Sequence, residues 1–175
     1  MANLKAIRVR LSSVKSTRQI TSAMKMVAAA KLRKAQDAIV QLRPYADKLN
    51  EIQAGLSAAL RDTEIENIYA ERKKGSGKVL LVVVTSNKGL CGAFNANVLR
   101  EARRIMSEKY VREAGRGDLA VITVGKKAYD TLRKLKGNII EDHSDLYTGL
   151  SFDRVSVLAD KLMKFYVSKE YDTIE

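Results

Sequence analysis

Apolar residues recur every three or four positions from the start of the chain to about residue 60. The series runs Leu4, Ile7, Leu11, Val14, Thr17, Thr21, Met24, Ala28, Lys31, Ala35, Ala38, Leu42, Tyr45, Leu49, Ile52, Leu56 and Ala59, and only Thr17, Thr21 and Lys31 are not apolar. Alternating steps of three and four keep one stripe turned toward one partner, which is the coiled-coil pattern. The two successive steps of three from Leu11 to Thr17 are a stammer, which overwinds the pair locally. A helix of roughly 57 residues is about 85 Å long. The stripe therefore predicts a rod rather than a domain helix, with a kink at Pro44, which lacks a backbone donor and disfavours helix at Arg43. Its predicted coiled-coil core is Leu4, Ile7, Leu11, Val14, Ala28, Ala35, Leu42 and Leu49.

The middle of the rod, "TSAMKMVAAAKLRKAQDAI", has a stripe of small residues. Ala28, Ala29, Ala30, Ala35 and Ala38 favour helix strongly but bury little area each, so their benefit is close approach of a neighbouring backbone. Charge here has one sign. Lys5, Arg8, Arg10, Lys15, Arg18, Lys25, Lys31, Arg33 and Lys34 precede the first acidic residue, Asp37. Residues 1–60 hold eleven basic and three acidic residues, and so carry most of the net charge of +12. Such asymmetry points to an anionic partner, whether nucleic acid, a membrane surface or an acidic protein; a well-solvated helix face is the plain alternative.

Composition narrows the classes. A hydrophobic share of 46% with 30% charged residues fits a folded soluble protein, and no run approaches the ~18 apolar residues that span a bilayer. The first residues lack the apolar core of a secretory signal. Their basic, acid-free character superficially suits a transit peptide, but the pattern continues well past where a cleavable segment ends. A single cysteine, Cys91, rules out an internal disulfide framework.

The grammar changes at Lys78. "KVLLVVV" is a continuous β-branched run, the mark of a strand buried on both faces. "TSNKGLCGAFN" follows as a turn, then one helix over "ANVLREARRIMSEKYVREA", a second strand "LAVITV", a helix "KKAYDTLRKLKG", a third strand "NIIED", a helix over "FDRVSVLADKLMKFYVSKE", and the approach to a fourth strand at "YDTIE". Strands alternating with helices predict a mostly parallel, Rossmann-like sheet covered by helices. The expected organisation is a long amino-terminal coiled-coil helix over 1–60, a linker over 61–77 and an α/β domain over 78–175. The rod's stripe needs a partner of similar length, and the last residues read as the start of another strand. Both features fit an amino-terminal fragment, or a partner helix from another chain.

The turn Gly89, Leu90, Cys91, Gly92 sits where parallel sheets bind ligands and where helix amino termini favour anions. It matches neither GxGxxG nor GxxxxGK[ST], so it lacks the spacing that cradles a pyrophosphate. A GxxG turn also clamps nucleic-acid backbone in KH domains, but here a buried strand precedes it and no aromatic platform lies nearby. Cys91 has one candidate histidine partner, His143, and no orienting group. The expectation is a structural turn with a small, half-buried thiol, and neither a catalytic residue, a cofactor nor a metal site; His143, among Glu141, Asp142 and Asp145, reads as a solvated acidic turn. Phe94, Phe152 and Phe165 read as core.

"IRVRLSSVKSTRQITSAMKMVAAAKLRKAQ" together with "VVVTSNKGLCGAFNANV" closely resembles the gamma subunit of the F-type ATP synthase, in register along the whole chain. The family's usual turn reads S-[ST]-D-[RK]-G-L-C-G; this chain has Asn87 where Asp is common. The resemblance implies a non-catalytic central-stalk rotor turning inside a ring of alpha and beta subunits. Its globular part would join epsilon (or a delta-type subunit) and the c-subunit ring. It implies coupling of ion-driven rotation to conformational change at the beta subunits, with regulation of ATPase activity and ion flow. Met24, Lys25, Lys31, Arg33 and Lys34 would form a one-signed face toward acidic beta-subunit loops. The implied place is peripheral, without membrane insertion, on the cytoplasmic face of a bacterial inner membrane, or in an organellar inner membrane or thylakoid after presequence removal. Composition alone supports a different reading, a basic nucleic-acid-binding protein with a coiled-coil arm, which the resemblance does not imply. A cysteine-dependent α/β enzyme is the third reading.

Overall fold

A computed structural model describes residues 3–59, 69 and 77–175. The chain divides into two compact units, Met1–Glu66 and Asn67–Glu175. The expected linker, residues 61–77, lies outside the described residues except for Tyr69 and Gly77.

The first unit is a single helix, α1, Leu4–Ala59, of 56 residues. Asn3 opens it, its side-chain oxygen accepting from the Lys5 N–H at 3.0 Å and so satisfying one orphan donor of the first turn. The helix runs through Pro44 without interruption, because one lost backbone bond is a small fraction of a ladder this long. Two of the three polar positions on the stripe have a local explanation. Thr17 Oγ1 donates to Ser13 O at 3.0 Å and Thr21 Oγ1 to Thr17 O at 2.9 Å. Each hydroxyl is thus absorbed by the preceding turn, which lets the methyl carry the stripe. Every stripe position from Leu4 to Leu56 is exposed.

The second unit is α/β. Its elements are β1 Val79–Val84, α2 Phe94–Arg104, α3 Val111–Arg116, β2 Leu119–Val124, α4 Lys126–Lys134, β3 Ile139–Asp142, α5 Phe152–Val167 and β4 Thr173–Ile174. The strands form one sheet in the order β3-β2-β1-β4, with all three pairings parallel. Period-two alternation divides the two central strands between faces. Val79, Leu81 and Val83 with Leu119 and Val121 pack under α2 and α4 against Ala102, Ala128 and Leu132. Leu80, Ala120 and Ile122 pack on the other face with Tyr171 and, from α5, Leu162 and Phe165. Val124 continues that face beside Leu146 and Leu158. Covering on both faces explains the unbroken apolar runs, and each fully buried Leu, Ile or Val contributes roughly 1.5–3 kcal/mol.

Three expectations change. The single helix expected after the first turn is broken: α2 passes into a π turn at Ile105–Lys109, and α3 restarts after Tyr110. Tyr110 packs toward the core and its hydroxyl donates to Glu175 at 2.8 Å, so tertiary contacts outweigh the local helical spacing. Phe94 and Phe152 are exposed rather than core. Only Phe165 joins the interior, edge-on to Tyr171. Cys91 is exposed rather than half-buried.

Candidate functional site

Strands β1, β2 and β3 end together, and the loops that leave them form the candidate site. From β1 come Thr85, Ser86 and Asn87; from β2, Gly125; from β3, His143 and a 3-10 turn at Ser144–Tyr147. Thr85 is fully buried, and its Oγ1 accepts from the Ala128 N–H at 2.8 Å and donates to Gly125 O. The Thr85 carbonyl accepts from the Tyr147 hydroxyl at 2.8 Å. Gly125 passes between these groups with φ 116°.

The Gly89–Gly92 turn projects from this edge. Ser86 N–H donates to Asn95 Oδ1 at 3.0 Å, and Asn95 Nδ2 donates to Ser86 Oγ at 2.8 Å and to Cys91 Sγ at 3.1 Å. The turn is therefore closed by its own polar groups. Leu90 holds φ 63° and is fully exposed, a left-handed conformation that disfavours a branched side chain. Cys91 and His143 are not brought together. The Cys91 sulfur meets Asn95, whereas His143 Nε2 lies 2.8 Å from Glu141, whose carboxylate also accepts from Lys161. The Lys161 hydrogen bond, with a smaller contribution from His143, holds the Glu141 carboxyl below the usual range. His143 is thus part of an ion-paired strand end rather than a solvated turn. No group of His, Cys, Asp and Glu side chains able to hold a metal ion occurs among the described residues.

An apolar groove of about 420 Å³ runs along the edge of β1 between Val82–Val84 and Val98 of α2 with Ile105 of the π turn. Its two carboxylates are engaged. Glu101 is paired with Arg104, and Glu175 with Lys109 and Tyr110. These hydrogen bonds lower both carboxyl pKa values.

On α1, Met24, Lys25, Lys31, Arg33 and Lys34 are all exposed. They do not share a face. At 100° per residue, Met24 and Lys31 fall about 20° apart, Lys25 and Lys34 lie on opposite flanks, and Arg33 is roughly 180° from Met24. The expected one-signed face is a collar around the helix. Met24, Ala28, Lys31 and Ala35 continue the stripe that Leu4, Ile7, Leu11 and Val14 begin and that Leu42 and Leu49 extend. Sequence reasoning did not single out Thr85 or Tyr147. Their partners lie 40, 43 or 62 residues away, and only the parallel sheet brings them together.

The fold defines an α/β protein with a fully parallel sheet and a long helix whose heptad-like stripe stays exposed. A family model described as ATP synthase matches residues 3–175, and the chain belongs to that family. It is 44% identical over 174 residues to the ATP synthase gamma chain of Chlorobaculum tepidum and 49% identical over 175 residues to that of Flavobacterium johnsoniae. These matches cover 99% and 100% of this chain, which spans 59% and 58% of the two relatives' length. Among solved structures, the rotor of the Euglena gracilis mitochondrial ATP synthase aligns with a TM-score of 0.49 and 24% identity, over 90% of this chain and 51% of that one.

Proposed function

We propose that this chain works as the central-stalk rotor of an F-type ATP synthase, transmitting ion-driven rotation of a c-subunit ring to the beta subunits. The observation that carries the reading is α1, a 56-residue helix exposed along its whole stripe, in a chain of the ATP synthase family. The core positions of its stripe, Leu4, Ile7, Leu11, Val14, Ala28, Ala35, Leu42 and Leu49, would pack on a second long helix, with Met24 left to contact the ring, and the alanines would keep that pair thin enough to turn inside it. The cationic collar would meet acidic beta-subunit loops from whichever side the rotor presents. In physical terms the shaft is a ligand whose contacts differ among the beta subunits and so shift their conformational equilibrium. The α/β unit would join the epsilon (or delta-type) subunit and the c ring. No helix among the described residues is long and apolar enough to cross a membrane, so attachment would be peripheral.

Recovery of the tagged protein from its native membranes tests this. It should co-purify with an ATP-hydrolysing complex of larger subunits. Recovery with nucleic acid instead, lost steeply with salt, would overturn the reading in favour of a basic nucleic-acid binder.

In that complex Cys91 has no chemical step to perform. Cys91→Ser keeps an acceptor for Asn95 Nδ2 at an exposed position. The expected result is a stability change within about 0.5 kcal/mol, typical of surface substitutions, with ATP hydrolysis and coupling unchanged. Abolished hydrolysis in a normally assembled complex would restore the catalytic-thiol reading.

A further inference from the structure

The α4 amino terminus begins at Gly125, which has no side chain to cap it, and the first helical N–H groups still require acceptors. Both are supplied from the end of β1. Thr85 Oγ1 takes the Ala128 N–H, and Asn87 Oδ1 takes the Lys126 N–H at 2.8 Å. Asn87 then uses its other end: Nδ2 donates to the Ser144 carbonyl at 2.7 Å. The orientation of this amide follows from its partners, because a backbone N–H requires the oxygen and a carbonyl requires the nitrogen.

We infer that Asn87 is a positioning latch that locks the three loops at the carboxyl end of the sheet into one rigid face. One side chain spans 39 residues to Lys126 and 57 to Ser144, joining the β1–α2 turn, the start of α4 and the loop between β3 and α5. The turn it anchors presents Leu90 and Phe94 outward, and the loop it holds leads to exposed Leu150 and Phe152. The latch sets how these apolar side chains stand relative to one another. Other contacts restrain the same loop: the Tyr147 hydroxyl donates to the Thr85 carbonyl, Ser144 N–H and hydroxyl donate to Asp142 Oδ1, and Arg154 donates to the Thr148 carbonyl, but none of these joins it to the start of α4. The latch goes beyond the rotor proposal and does not depend on it.

Asparagine serves both arms because its amide accepts from Lys126 and donates to Ser144. A carboxylate at position 87 keeps the acceptor for Lys126 and gains from the positive end of α4, but it cannot donate to Ser144 and repels that carbonyl. Alanine removes both arms. Asn87→Asp and Asn87→Ala therefore separate the latch from a general contribution to stability.

Residue-resolved hydrogen exchange on the 175-residue chain near pH 7 reads the two arms independently. In Asn87→Asp, exchange at the Leu146 and Thr148 amides should quicken roughly tenfold, as for loss of a single strong hydrogen bond, while Lys126 and the β1 and β2 amides keep their protection. In Asn87→Ala, Lys126 should quicken as well. Adding Tyr147→Phe to Asn87→Asp should quicken the loop by more than the two single changes combined. Unchanged exchange at Leu146 and Thr148 in Asn87→Asp would overturn the latch. So would a uniform change across the sheet, which is the signature of a global stability effect. The Asn87→Asp result decides the matter even if Asn87→Ala fails to fold.

Discussion

Gly125→Ala should leave the α/β unit unable to reach its native state. A Cβ at this position would sit 2.1 Å from the Thr85 carbonyl oxygen, 2.7 Å from its carbon and 2.9 Å from Thr85 Oγ1, and the backbone there holds φ 116°. Two of the three are main-chain atoms of Thr85, just past the end of β1, and the third belongs to a fully buried side chain rather than to the tip of a flexible one. Relief would require β1 and β2 to separate where the Thr85 N–H bonds Val124 O at 2.8 Å. It would also disturb the Oγ1 that takes the Ala128 N–H. The clash and the forbidden dihedral add, and a loss above ~4 kcal/mol places the variant in the exceptional class of single substitutions. The expected readout is collapsed amide protection throughout β1 and β2, with little soluble protein. Gly89→Ala is the control, since its Cβ would meet nothing within 4 Å and its φ is not positive. A Gly125→Ala chain within about 1 kcal/mol of the parent would show that the two strand ends separate more easily than their packing implies.

What the sequence disclosed follows from which interactions are local. α1 was legible because periodicity, helix propensity and the near absence of breakers agree over its 56 residues. Pro44 does not end the helix, because its cost is local and the stripe on either side keeps its phase. β1 and β2 were legible for a related reason: strands covered on both faces must be apolar throughout, and "VLLVVV" and "LAVITV" are. The break at Tyr110 was not legible. No Gly or Pro marks it, and its cause includes a hydroxyl contact 65 residues away in sequence. Burial of single residues failed for the same reason. Phe94 and Phe152 open α2 and α5, and Cys91 sits on the turn before α2, so their outward direction depends on neighbouring loops.

The candidate site was half legible. "GLCG" was recognisable as a turn, and the absence of phosphate-cradle spacing was visible from the start. The groups that organise the edge were hidden, because Thr85, Gly125 and Asn87 look like ordinary loop residues until the parallel sheet aligns three strand ends. Asn87 read as a minor departure from a familiar pattern, yet its amide is the group with partners on two other loops. The collar on α1 shows a different limit. Counting charges established one sign, whereas only the angular positions on a continuous helix show that the cations surround it.

Met24→Lys should uncouple rotation from its output without stopping hydrolysis. Met24 is 63% exposed on α1, on the stripe between Thr21 and Ala28 and nearly in line with Lys31. Its substitution removes a flexible apolar side chain suited to a sliding contact and adds a cation on a stem long enough to reach a carboxylate. On the rotor reading, acidic loops of the surrounding subunits pass this point in turn. An exposed pair contributes roughly 0–1 kcal/mol, and a pair shielded inside a ring falls at the upper end of that range. A rotor requires nearly equal free energy at successive stops, so even about 1 kcal/mol gained at one stop is a barrier to leaving it. That barrier is felt most when the shaft must deliver work and least when hydrolysis runs downhill. The variant should therefore assemble normally, retain most of its ATP hydrolysis and pump ions poorly, with partial recovery as salt screens the new pair. Pumping and hydrolysis measured on the same vesicles give the ratio that decides it. A ratio equal to that of the parent would remove Met24 from the surface that transmits torque, while leaving the stripe and the latch at Asn87 to be judged on their own measurements.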